Sequence, residues 1–157
     1  MNFSDLFNSA TTAAFEDLRK GQFVFESKTD IQALVFRHAV RLARSHGLPL
    51  KIHVEPTKLA LKPDLVFGDE EVFVQVKFVK AGSGGSGDTL RKWKGDVWKL
   101  RRYKSHWPQA RCVLLAVDEA GYYSLSGQAD FFDPAAEKLK GAWAPLTEGS
   151  RFLLAEL

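Results

Sequence analysis

Three polar residues, Asp64, Gln75 and Lys77, interrupt two short runs that are otherwise rich in Val and Phe. The runs flank a Gly-Asp-Glu-Glu segment, which is typical of a β-hairpin. If Phe67 pairs with Val72 across the turn, Asp64 lies opposite Gln75, with Cβ atoms about 5 Å apart. Lys77 shares that face, because it is two residues further along the strand. The pattern therefore gathers a carboxylate, an amide and an ammonium group in one cluster.

Two interpretations of this cluster are open from the hairpin alone. A Lys77–Asp64 salt bridge at the rim of the sheet would be purely structural, with Gln75 bonded to backbone, since a buried ammonium group needs a partner. The alternative is that the cluster does chemistry. The elements on either side of the hairpin favour the second interpretation.

Those elements follow a simple order. A helix is predicted over 30–46, opened by the capping-box sequence Thr29-Asp30-Ile31-Gln32 and ended by Gly47. Residues 50–55 alternate in polarity and predict a strand before the hairpin. A second helix is predicted over 89–107, and the apolar run 111–117 predicts a buried strand that is parallel after a helical crossover.

The sequence Pro63-Asp64, followed after ten residues by Gln75-Val76-Lys77, resembles the signature of the PD-(D/E)XK nuclease superfamily. The predicted elements over 30–125 have the order of its restriction-endonuclease-like αβββαβ core. The resemblance implies an α/β fold with a mixed central sheet flanked by helices. Gln75 stands where the superfamily usually has an acid, and this Gln-X-Lys version is similar to that of Mrr-like restriction enzymes.

The resemblance implies a metal-dependent DNA endonuclease with Mg²⁺ or Mn²⁺ as its cofactor. Asp64 would be the principal metal ligand, joined by the amide oxygen of Gln75 and the backbone carbonyl of Val76. Lys77 would orient or help deprotonate the attacking water, or neutralise the phosphate. Gln75 in place of an acid removes one negative ligand from the metal.

Further acidic groups near this cluster are Glu55, at the end of the first strand, and Glu26 or Asp30, near the first helix. In the resembled superfamily that helix often supplies an acid to the metal site. We prefer Glu26 as a catalytic residue, because Asp30 is explained as a first-turn acid favoured by the helix dipole. Glu55 is either a metal ligand or a surface residue.

The helix predicted over 89–107 has the densest positive charge in the sequence. Basic residues interleaved with Trp93, Trp98 and Tyr103 suit phosphate contacts, whereas a solvated helix face is the alternative. Beside a nuclease-like motif we expect DNA binding. Lys94, Asp96 and Tyr103 are candidates for a supporting polar residue. The expected DNA-binding residues are Arg91, Lys92, Lys94, Lys99 and Arg102.

Composition narrows the class of protein. The length of 157 residues predicts one domain, and a net charge of +3 with a pI of about 9.0 permits a nucleic-acid partner. The single cysteine, Cys112, excludes a disulfide framework and a zinc cluster, which fits a reducing compartment. No apolar run reaches membrane-spanning length and the N-terminus has no signal-peptide pattern, so we expect a cytoplasmic protein without membrane association.

Outside the core, residues 1–25 are predicted as an N-terminal helical arm, capped by Ser4, that packs on the core or forms a dimer contact. Residues 122–125 predict an edge strand. Residues 126–157 are predicted as a C-terminal cover or subunit contact, with a short helix from Pro134 to about Lys140. The Gly/Ser stretch 82–87 is typical of an engineered linker in place of a longer native loop, with a natural flexible loop as the alternative.

Two other functions stay open. A catalytically inactive nuclease-fold module would bind DNA or protein, and Gln75 favours it modestly. An accessory or toxin-like domain would work only with a partner chain. Asp64 and Lys77 together favour the enzyme more strongly, and cleavage of both DNA strands would suggest a homodimer or a partner subunit.

Overall fold

The computed structural model describes residues 1–58, 60–82 and 87–157, without the side chains of residues 87 and 88. Within these residues the fold is α/β, with three helices and one mixed six-stranded sheet of order β1-β2-β3-β4-β6-β5. In chain order the elements are α1 (Phe3–Arg19), α2 (Lys28–Ser45), β1 (Ile52–Val54), β2 (Leu65–Phe67), β3 (Val72–Val79), α3 (Gly87–His106), β4 (Arg111–Asp118), β5 (Trp143–Pro145) and β6 (Arg151–Glu156).

The central strand pairings confirm the predicted hairpin. Phe67 lies opposite Val72, so β2 and β3 are antiparallel in the expected register. Strand β1 adds antiparallel to β2, and β4 lies parallel to β3 after the α3 crossover. A parallel neighbour needs such a crossover, since a tight turn can join only antiparallel strands. The elements from α2 to β4 therefore follow the order α2-β1-β2-β3-α3-β4.

The two faces of β3 serve two cores. Val72, Val74 and Val76 pack in the core formed with α1 and α2. Phe73 belongs to the other core, where its ring stacks on Tyr103 of α3 at a centroid distance of 4.7 Å. Because side chains alternate along a strand, Gln75 and Lys77 are directed to the α3 side of the sheet.

Both long N-terminal helices begin earlier than predicted. In α1 the cap is Asn2 rather than Ser4, and its side chain accepts from the backbone N–H of Asp5 at 2.8 Å. In α2 the cap is Ser27 rather than Thr29, and Asp30 accepts from the N–H of Ser27 at 2.9 Å. The carboxylate three residues after the cap decides where the helix begins. Asp30 is thus the capping acid of α2, whereas the capping box predicted from Thr29 to Gln32 is wrong.

The C-terminal part differs most from expectation. The predicted edge strand at 122–125 is wrong, because those residues form turns around Asp118. The predicted helix from Pro134 to Lys140 is also wrong, since turns occupy it. Instead, β6 pairs antiparallel with β4 and β5 adds outside it. The tail therefore extends the sheet and pairs the edge of β4 that would otherwise stay open.

The remaining expectations concern segments rather than the sheet. Arm residues Leu6 and Phe7 are buried in the core that α1 forms with α2. Cys112 is a buried free thiol in β4, and burial raises the pKa of that thiol to about 11. The proposed linker over 82–87 lies mostly outside the described residues. No described helix has the length and apolar character that crossing a membrane requires.

Candidate functional site

The site is centred on Asp64, immediately before β2. Its N–H donates to the carbonyl of Val74 at 2.9 Å. Its side chain also contacts β3, because Oδ2 accepts from the N–H of Val76 at 2.6 Å. The carboxylate is thereby held against the segment that joins Gln75 to Lys77.

A lysine that sequence reasoning missed holds the other carboxylate oxygen. Lys28 Nζ lies 2.6 Å from Asp64 Oδ1, and the Asp64 side chain is only 5% exposed. Lys28 is the first residue of α2, where the helix dipole disfavours a cation. One signal of this ion pair was present in the sequence. It was a lysine at a helix start, followed two residues later by the capping acid. Its partner, 36 residues away, could not be found from spacing.

Lys77 does not bond to Asp64, so the structural alternative, a Lys77–Asp64 salt bridge, is wrong. Its ammonium lies 2.5 Å from Oδ2 of Asp96 on α3, because Lys77 is on the face of β3 that α3 covers. Asp96 also accepts from Lys99 at 2.7 Å through Oδ1. The second carboxylate of the site therefore comes from α3, at one of the three positions considered for a supporting polar residue.

Gln75 and Val76 contribute oxygens beside Asp64. The amide nitrogen of Gln75 donates to the carbonyl of Lys62 at 3.3 Å. In a strand the N–H and C=O of one residue point to the same side, so the Val76 carbonyl leaves β3 on the side of Asp64. The Asp64 carboxylate and the Val76 carbonyl therefore lie on the same side of β3.

Tyr103 brings a protonated hydroxyl to the same region. It is fully buried, and its hydroxyl has no hydrogen-bond partner in the described part of the chain. Burial, and then the negative charges of Asp64 and Asp96, raise the pKa of Tyr103 well above its usual range. The hydroxyl can therefore donate a hydrogen bond but does not ionise at working pH.

The other predicted acids lie at the margin of the site. Glu26 is exposed and forms an ion pair with Lys80, and this contact raises the pKa of Lys80. Glu55 is exposed with a left-handed φ of 48°, and its N–H donates to the carbonyl of Asp64 at 3.0 Å. Among the described residues, Asp64 thus contacts Val76 and Lys28. The side chains of Glu26 and Glu55 make no hydrogen bond or ion pair with these three residues.

The donor set and the charge balance bear differently on a divalent cation. Asp64, Gln75 and Val76 offer the oxygen ligands that Mg²⁺ and Mn²⁺ prefer. Among the described residues, however, no group of three or more His, Cys, Asp or Glu side chains could hold a metal. Two carboxylates, Asp64 and Asp96, also face three ammonium groups from lysine. A metal therefore fits these donors only when Lys28 leaves the carboxylate.

The expected DNA-binding residues share one helix but not one environment. Lys99 is held by Asp96, and Lys94 lies 3.8 Å from Glu137. Arg102 places its guanidinium 5.6 Å from the ring centroid of Trp98. Arg91 and Lys92 are exposed at the start of α3. Lys99 is thus one expected DNA-binding residue that an ion pair ties directly to the candidate site.

Comparisons of the chain with protein-family models, with curated proteins and with solved structures found no match. The function is therefore inferred from the chemistry of the site and from the order of the elements around it.

Proposed function

We propose that this protein is a metal-dependent DNA endonuclease of the PD-(D/E)XK type. The observation that carries the proposal is the hydrogen bond from the Val76 N–H to Oδ2 of Asp64, which fixes the carboxylate against the Gln-Val-Lys segment. The order α2-β1-β2-β3-α3-β4 supports it, because it is the element order of the restriction-endonuclease-like core. The sequence motif alone is weak evidence, because short spacings of an acid and a lysine also arise by chance.

In this proposal each residue has a separate task. Asp64, the amide oxygen of Gln75 and the carbonyl of Val76 would hold Mg²⁺ or Mn²⁺, which acidifies a bound water and stabilises phosphate charge when present. Lys77, fixed by Asp96, would orient that water or neutralise the phosphate. Tyr103 would donate a hydrogen bond into the same space.

Cleavage of supercoiled, linear and single-stranded DNA with Mg²⁺, Mn²⁺ or EDTA tests the proposal. The wild-type protein should cut DNA only with metal, and Lys77→Met should lose cleavage while keeping its fold. Lys58→Met is the matched control, since it removes another partly buried lysine from an ion pair, that with Glu70. A folded Lys77→Met protein with full activity would contradict the catalytic role proposed for Lys77.

The second candidate is a catalytically inactive nuclease-fold module that binds DNA. Lys28 on Asp64 favours it, because an ammonium group there supplies the positive charge that a metal would otherwise bring. Salt-sensitive DNA binding in EDTA, together with no cleavage under any metal condition, would identify this function.

A further inference from the structure

Trp98 lies on the side of α3 that faces away from the sheet. The buried side of this helix is made by Trp93, Val97 and Leu100, whereas the Trp98 side chain is 52% exposed. Among the exposed large hydrophobic side chains of the described residues, it is the one aromatic ring. An isolated exposed apolar residue is ordinary, so its surroundings decide whether this ring has a role.

The ring is surrounded by positive charge. Lys94 and Arg102 lie one helical turn before and after Trp98, and Arg101 is a neighbour on the same side. The Arg102 guanidinium lies over the ring at 5.6 Å from its centroid. Glu137, near Lys94 and Arg101 at 3.8 and 3.7 Å, balances only part of this charge. The surface therefore favours an anionic partner with a planar group.

Gly95 leaves room beside the ring. It is exposed, and no atom of the described residues outside its own helix backbone lies within 4 Å of the position that a Cβ would occupy. Glycine weakens a helix interior, so this position carries a cost that a larger residue would avoid. Helical side chains lean toward the N-terminus, which brings the Trp98 ring over the turn that contains Gly95. The open space therefore adjoins the ring.

We propose that Trp98 stacks on an unpaired base of single-stranded nucleic acid, while Lys94, Arg101 and Arg102 bind the flanking phosphates. Aromatic rings set among basic side chains bind single strands in this way, whereas duplex bases are covered by their neighbours. Lys99, the next residue, contacts Asp96 and so links this surface to the candidate site. This inference names the substrate of the proposed nuclease as a nucleic acid with unpaired bases. It rests on the proposed function, because only a nuclease site at Asp64 gives the bound strand a path from Trp98.

Fluorescence anisotropy of labelled oligothymidine and of a matched duplex, both in EDTA and at low salt, tests the proposal without cleavage. Trp98→Ala should weaken binding of the single strand about tenfold or more, and binding of the duplex by less than about twofold. Trp98→Phe should retain most of the affinity, because phenylalanine also stacks. Gly95→Leu should weaken single-strand binding by filling the space beside the ring. Leu50→Ala, the loss of an exposed apolar residue elsewhere, is the control.

The outcomes separate this inference from the nuclease proposal. Equal losses for single strand and duplex in Trp98→Ala, or no loss for either, would overturn the stacking role and leave the nuclease untouched. Selective loss for the single strand without metal-dependent cleavage by wild type would support stacking and contradict only the nuclease. Absence of nucleic-acid binding by wild type overturns the stacking role whatever the cleavage result. Oligouridine in a parallel arm shows whether the strand that stacks is DNA or RNA.

Discussion

Two buried aspartates lie at the ends of β2 and β4, the two strands that flank β3, and they differ in the partners that hold them. Asp118 ends β4 with no exposed surface, and its Oδ2 accepts the backbone N–H groups of Tyr123 and Ser124 at 2.7 and 2.9 Å. Asp64 accepts one backbone N–H, that of Val76, and an ammonium group from Lys28. The first carboxylate holds its own loop, whereas the second is paired with a lysine side chain that is 43% exposed.

This difference is a better guide to function than burial or charge. The amides on Asp118 cannot leave without opening the turn, so that carboxylate is committed to structure. Lys28 is 43% exposed and can swing into water, which would release Asp64 Oδ1 for a metal or a substrate. Buried acids are common as structural anchors. A buried acid whose partner can move away is a candidate site.

The strongest test of this contrast compares Asp64→Asn with Asp118→Asn. Asp64→Asn should lower the cleavage rate by about 100- to 1,000-fold or more, since the charge that would bind the metal is lost. Asp118→Asn should leave the rate per folded molecule unchanged. Rates measured with Mg²⁺, corrected for the folded fraction by circular dichroism, check both expectations. Equal losses from folded samples of both variants would remove the distinction.

Stability should show the reverse order. Asp118→Ala leaves two buried backbone N–H groups without an acceptor, at about 1–3 kcal/mol each, so the free energy of unfolding should fall by about 2–6 kcal/mol. Asp64→Ala leaves one such group, and Lys28 can turn to solvent, so about 1–3 kcal/mol is expected. Urea unfolding of both variants measures the two losses. A larger loss from Asp64→Ala would show that Asp64 is the structural anchor.

The sequence predicted the site only as far as local periodicity reaches. Alternation and the turn gave the register in which Phe67 faces Val72, and hence the approach of Asp64 to the Gln75–Lys77 segment. These features depend on neighbours within one hairpin, where spacing in the chain determines spacing in the fold.

The lysine partners could not be predicted in the same way. Lys28 reaches Asp64 from α2, and Lys77 reaches Asp96 on α3, so both contacts depend on how helices pack on the sheet. The edge strand predicted in the C-terminal part was wrong for a related reason. Residues 122–125 have strand-forming side chains, but Asp118 accepts two of their amides and holds them in a turn. A tertiary hydrogen bond there overrides the local propensity.

Lys28→Met tests the contrast between Asp64 and Asp118 further, because it removes only the half-exposed lysine partner of Asp64. Mn²⁺ affinity should rise about tenfold, because the cation would no longer compete with an ammonium group for Asp64. Metal-free protein should lose about 1–2 kcal/mol of unfolding free energy, as the buried carboxylate keeps only one donor. Calorimetric titration with Mn²⁺ and urea unfolding in EDTA measure the two effects.

Lys51→Met, which breaks the exposed ion pair with Asp69 instead, is the control. Unchanged Mn²⁺ affinity in Lys28→Met would show that the lysine does not compete for the site. If neither wild type nor Lys28→Met binds Mn²⁺, the metal-dependent nuclease fails and the binding module is favoured.

The smallest expected effect concerns the Tyr103 hydroxyl, which has no hydrogen-bond partner among the described residues. Tyr103→Phe should change the free energy of unfolding by less than about 1 kcal/mol at neutral pH, because the hydroxyl has no partner to lose. At alkaline pH the variant should be the more stable protein. The pKa of Tyr103 in the folded state is above its ordinary value of 10.0, so the folded state holds the proton more tightly and wild type loses stability as pH rises past that value.

Urea unfolding midpoints of wild type, Tyr103→Phe and the control Tyr122→Phe, followed from neutral to alkaline pH, test this expectation. If the difference between wild type and Tyr103→Phe stays constant with pH, the hydroxyl is not confined beside the two carboxylates. If the difference grows but cleavage falls in Tyr103→Phe, the hydroxyl acts in the reaction as a donor. Unchanged cleavage would instead leave the site's chemistry to Asp64, Lys77 and Asp96, with Tyr103 contributing only its ring to the packing against Phe73.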